Sequence, residues 1–155
     1  TPFETSGAVI DSFETSAALR SSNFFGLGEM MNYPAVAAGD GEVLKKVVAA
    51  RLEDKLIDGH APAMSGKDLN AYVGAGIYTD HECDTAEEAA EKVSRGMYVL
   101  LREGSASHDL KNLLPAVNEY NFRRFAICTD DRHADDLAAE GHPDNALRLA
   151  LKCGL

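Results

Sequence analysis

Apolar residues recur along this chain in short runs, and each run gives way to a polar cluster. Phe24–Met31, Leu56-Ile57, Ile77-Tyr78, Met97–Leu101 and Phe125–Cys128 are too short for helices and read as strands. Between them the spacing turns helical. Asp40 caps a helix with apolar positions Val43, Leu44, Val47 and Val48. Ser65–Ala75 is opened by Ser65-Gly66 and closed by Gly76, and TAEEAAEKVSRG runs from Asp84 or Thr85 to Gly96. Leu110–Tyr120 is a helix bent or interrupted by Pro115, and Ala134–Glu140 and Asp144–Lys152 close the chain. Pro34 and Gly39 mark a loop. Thr1–Ser22 reads as a loop, with Pro2 and Gly7, leading into a short helix Ser12–Leu19 capped by Asp11 or Ser12.

About five strand–helix units in succession predict an α/β fold of parallel (β/α) units with right-handed crossovers. The strands carry few alternating polar residues, as strands buried on both faces do. An open doubly wound sheet and a (β/α) barrel both fit. Polar clusters follow every strand, which puts the candidate chemistry at the carboxyl ends, where such folds build their sites. Gly26-Leu27-Gly28 lies inside a strand and not in a turn opening a helix, so it does not read as a dinucleotide fingerprint.

Composition narrows the function classes. Of the 155 residues 45% are hydrophobic and 26% charged, as in an ordinary single globular domain. A net charge of −10 argues against binding a nucleic-acid backbone. No apolar run approaches a membrane span, and TPFETSG has no signal-peptide pattern. Cys83, Cys128 and Cys153 lie far apart without CxxC spacing, which fits a reduced, cytoplasmic protein.

The strand ends deliver Glu29, His60, His81, Arg102-Glu103, and Asp130-Asp131 with Arg132 and His133. His60 and His81 stand at equivalent places after successive strands. Two imidazoles with two carboxylates suit zinc, manganese or iron. Such a metal lowers the pKa of a bound water toward neutrality, and a neighbouring carboxylate can move its proton. Each residue also has an ordinary reading. The histidines can be loop hydrogen-bonders, Asp130 a turn cap, Asp131 a partner of Arg132, and Arg102-Glu103 a local ion pair. His108 and His142 sit at helix starts and read as structural; Cys83 reads as a small buried residue and Met30-Met31 as core.

The order Glu, His, His, Asp at successive strand ends resembles the amidohydrolase superfamily of metal-dependent (β/α)8 barrels. The strings GLGEMMNYP, DGHAPAMSGKDLNAY, AGIYTDHE, LLREGSA, CTDDRH and EGH, in that order, are similar to the bacterial and archaeal adenine deaminase family and cover most of Gly26–His142. Their joint order carries the resemblance; a short piece alone means little.

The resemblance implies a TIM-type barrel and hydrolytic deamination of adenine to hypoxanthine and ammonia. It also implies a binuclear site of manganese or iron, with zinc as a further candidate. Metal ligands would be Glu29, bridging, with His60 and His81 on one metal and Asp130 on the other. Asp130 would also carry the proton from the attacking water to the leaving amine. Glu82 and Asp131 would assist that transfer, and Arg102, Glu103 and Ser105 would lie near the purine. The partners expected are a small-molecule substrate, adenine, and further copies of the chain in a homo-oligomer, a dimer, with neither nucleic acid nor membrane. The chain departs from the family in one respect: no His-x-His occurs, although the first barrel strand of the superfamily supplies such a pair. The expectation is therefore that residues 1–155 are a C-terminal portion of the catalytic barrel, about strands four to eight, with little activity alone. Another amidohydrolase, a cyclic amidase or deacetylase, and a non-catalytic metal-binding α/β piece are the alternatives.

Overall fold

A computed structural model describes residues 4–155. The chain divides into two compact units, one running to Thr79 and the other Asp80–Leu155. Both are α/β, and their strands lie in two small sheets whose described pairs are parallel.

In the first unit, α1 (Ser12–Leu19) begins at a capping box. The Asp11 carboxylate accepts from the backbone of Phe13 and Glu14, and Glu14 returns the bond to the Asp11 N–H. The loop expected before it falls partly on residues 1–3, outside the described residues. Strand β1 (Gly26–Met30) pairs with β2 (Leu56–Gly59). Leu27 stands opposite Ile57 and Met30 opposite Gly59, so Gly28 and Glu29 together face one residue of β2, a bulge at the carboxylate.

The segment expected as a loop around Pro34 is instead α2 (Tyr33–Ala38). Pro34 occupies the first turn, where a missing N–H costs nothing, and Gly39 ends the helix at φ 77°. Then α3 (Gly41–Leu52) starts on Asp40, whose carboxylate accepts from Glu42 and Val43. Helix α4 (Gly66–Ala75) ends at Gly76 with φ 101°.

The strand expected at Ile77-Tyr78 is displaced to β3 (Thr79–Asp80). Ile77 is fully buried, so its hydrophobicity reflects packing, while the ladder pairing falls two residues later. Gly59 explains the approach: a Cβ there would meet the Thr79 carbonyl oxygen at 1.9 Å.

In the second unit β3, β4 (Tyr98–Arg102) and β5 (Phe125–Cys128) lie in that order. The β4–β5 pair runs from Val99 opposite Phe125 to Arg102 opposite Cys128. Helix α5 (Ala86–Ser94) is capped by Thr85, which accepts from the Glu88 N–H. The helix expected over Leu110–Tyr120 is cut short: α6 (Leu110–Leu113) gives way to a 3-10 turn at Leu114–Ala116 around Pro115. Helices α7 (Ala134–Glu140) and α8 (Pro143–Lys152) follow. Cys83, Ala89, Val99, Leu101, Leu110, Leu113 and Ala150 form the core. No helix among the described residues is long and apolar enough to cross a membrane.

Candidate functional site

Two groups of sidechains stand at strand ends, one in each unit. In the first unit the β1 bulge presents Glu29, and the residue after β2 is His60. His60 Nδ1 lies 3.0 Å from Glu29 Oε2. The Tyr33 ring stacks near the imidazole at a centroid distance of 6.5 Å. Beneath them the Tyr72 hydroxyl, fully buried on α4, donates to the Met30 carbonyl at 3.0 Å and accepts from the His60 N–H at 2.9 Å.

In the second unit, β3 is followed by His81, which is buried, and Glu82, which is half-buried. His81 Nε2 lies 3.6 Å from Glu82 Oε1. Asp130 follows β5 in the left-handed region, φ 52°, a conformation aspartate tolerates better than most residues. His81, Glu82 and Asp130 each offer a ligand atom, all within 4.8 Å of one another. One imidazole and two carboxylates form a donor set that fits manganese, iron or zinc.

Arg102 ends β4 beside this cluster. Its Nη1 donates to Glu82 and, at 3.2 Å, to Asp130 Oδ2; its Nε and Nη2 both donate to Asp109 Oδ2, at 3.1 and 3.0 Å. Burial acts to lower the guanidinium pKa, but the hydrogen bonds and charges of Asp109 and Glu82 outweigh it and hold the pKa above the usual range. The local Arg102–Glu103 pair offered as the ordinary reading does not form. Adjacent residues of a strand point to opposite faces, and Glu103 instead meets His108 Nδ1 at 2.7 Å. Ser105 accepts from the His133 N–H at 2.8 Å and donates to Asp136 at 2.5 Å. Arg132 bonds the Gly104 carbonyl and Glu140, not Asp131. The Asp131 carbonyl accepts from the Ser105 N–H at 2.9 Å. His142 caps α8, its N–H donating to Asp144. His133 and Asp135, both exposed, and half-buried Asp136 also have ligand atoms within 4.8 Å of one another.

Asp80, one residue before His81, is fully buried and ion-paired to Lys92 Nζ at 2.7 Å, and Glu88 reaches the same nitrogen at 2.6 Å. The Cys83 thiol donates to Asp80 at 3.2 Å; burial, reinforced by the Asp80 charge, pushes its pKa far up and leaves it unreactive. Sequence reasoning missed Asp80, Lys92, Tyr72 and Asp109. Glu88 and Lys92 have the i, i+4 spacing of a helix pair, a visible signal, but such pairs ordinarily sit at the surface.

The strand ends thus define a parallel α/β segment bearing imidazole and carboxylate groups. Its sequence is similar along its whole length to proteins named adenine deaminase. It is 48% identical over 155 residues to that of Nitratidesulfovibrio vulgaris (strain DP4) and 49% identical over 155 residues to that of Clostridium acetobutylicum. Identity is 46% over 153 residues to that of Bacillus pumilus. The chain spans 27% of the length of each of these relatives. No protein-family model matches it.

Proposed function

We propose that this chain supplies part of the catalytic centre of an adenine deaminase, a hydrolase that converts adenine to hypoxanthine and ammonia in purine metabolism. The grouping of His81, Glu82 and Asp130 in a chain 48% identical to such enzymes carries the reading. Its parallel units are about strands four to eight of a TIM-type (β/α)8 barrel, and the active assembly is a cytoplasmic homo-oligomer, a dimer.

In this reading Glu29, His60, His81 and Asp130 would hold a binuclear centre of manganese or iron, with zinc as the alternative. When bound, it supplies a water acidic enough to act as nucleophile near neutral pH. The chain's own groups do the rest. The Asp130 carboxylate would take a proton from the attacking water and pass it to the departing amine, with Glu82 and Asp131 assisting the relay. Glu103 and Ser105 border the purine, and Arg102 stands beside Glu82 and Asp130. His60 is oriented for its task by the Glu29 carboxylate on Nδ1 and by the Tyr72 hydroxyl on its backbone.

The test is a chimera in which this chain replaces the matching segment of the Clostridium acetobutylicum relative. Loaded with Mn2+, it is expected to release ammonia from adenine, and Asp130→Asn is expected to lower turnover at least a hundredfold, in keeping with a general acid–base group. A folded, metal-loaded chimera without ammonia release would sink the proposal, as would near-normal turnover in Asp130→Asn.

A further inference from the structure

We infer that Arg102 is a positioning residue: its guanidinium, aimed by Asp109, holds Glu82 and Asp130 together as a pair. The inference rests on the function proposed above and refines the part Arg102 plays in it.

The geometry is closed at both ends. Asp109 Oδ2 accepts from Nε and Nη2 of Arg102, while the Asp109 backbone N–H donates to the Arg102 carbonyl at 3.0 Å. A guanidinium is planar, so fixing Nε and Nη2 fixes where Nη1 points. Nη1 points at Glu82 and Asp130. Four hydrogen bonds, from three nitrogens, therefore all end on carboxylates, and the side chain is only 9% exposed.

Glu82 and Asp130 gain something specific. Two carboxylates brought close repel each other unless a cation lies between. Arg102 supplies that cation at a fixed place. Asp130 also starts from a left-handed backbone, φ 52°, so its side chain benefits from an external anchor. A guanidinium so fully engaged acts through the carboxylates and not by grasping a purine.

The experiment uses the 155-residue chain, isotopically labelled so that arginine Nε–H signals can be followed by NMR. Without metal the Arg102 signal is expected to exchange slowly with solvent, and substoichiometric Mn2+ is expected to broaden it. In Asp109→Asn its exchange should quicken at least tenfold, and Mn2+ affinity should fall at least tenfold while melting stays cooperative. Arg102→Lys keeps the charge but not the fork, and should show the same loss of affinity. Wild-type Mn2+ affinity in both variants would overturn the inference. So would a shift of the wild-type Arg102 signal on adding adenine alone, which would mean direct contact with substrate and needs no variant to fold. If Mn2+ broadens no signal, the metal reading fails, and the exchange comparison still decides whether Asp109 aims Arg102.

Discussion

Lys92 Nζ lies 2.7 Å from Asp80 Oδ2, and neither side chain reaches solvent. Removing one member of such a pair strands the other charge, a much larger loss than the net worth of the pair. Lys92→Met, which keeps the bulk, is expected to cost about 3–5 kcal/mol of stability, read from the midpoint of urea unfolding. An unchanged midpoint would mean that Asp80 finds water or another donor when the ammonium is gone.

The same pair sets an alkaline limit. Burial pulls the Lys92 pKa down, but Asp80 and Glu88 outweigh it and raise it above its usual 10.5. A raised folded-state pKa gives stability that is fully present below about 10.5 and lost as pH climbs through the folded value. Urea midpoints are expected to hold below that pH and fall above it, and Lys92→Met should flatten that part of the fall.

Two glycines separate contact from strand propensity. Gly59→Ala drives a Cβ onto the Thr79 carbonyl, a backbone atom that cannot turn aside, and should cost at least about 2 kcal/mol. Gly28→Ala meets nothing within 4 Å and should change stability by less than about 1 kcal/mol. Thermal melts of the two variants distinguish them directly.

The three thiols should react in order of access. Cys153 is exposed, Cys128 half-buried and Cys83 fully buried with its pKa pushed up. Maleimide labelling followed by peptide mapping is expected to mark Cys153 first and Cys83 only after unfolding. Early labelling of Cys83 would show that the segment after β3 opens readily.

Much of this architecture can be read from pattern alone, because strand runs followed by polar clusters leave few alternatives. Phe125–Cys128 and Ser12–Leu19 form where their residues predict. The failures have physical causes. Pro34 looks like a breaker, yet a first helical turn welcomes it. Ile77 looks like strand, yet its burial comes from packing and the ladder begins at Thr79. Leu110–Tyr120 keeps helical spacing beyond the point where Pro115 removes the N–H the next turn needs. At the site, Glu29, His60, His81, Glu82 and Asp130 are visible because they stand at strand ends. Asp109 and Tyr72 are not: Asp109 acts from the residue before α6 and Tyr72 from within α4, and nothing in their neighbourhood announces a strand-end partner.

Parallel neighbours have no hairpin to keep their ends in step; β1 and β2 are joined only through the long excursion over α2 and α3. The Tyr72 phenol supplies what that excursion lacks, gripping the Met30 carbonyl and the His60 amide from the side. Glu29 and His60 are thus levelled by a third element and not by the span between them. A residue added or removed around Gly39, between the two helices, is therefore expected to leave these two groups level, as the His60 amide signal in NMR would show.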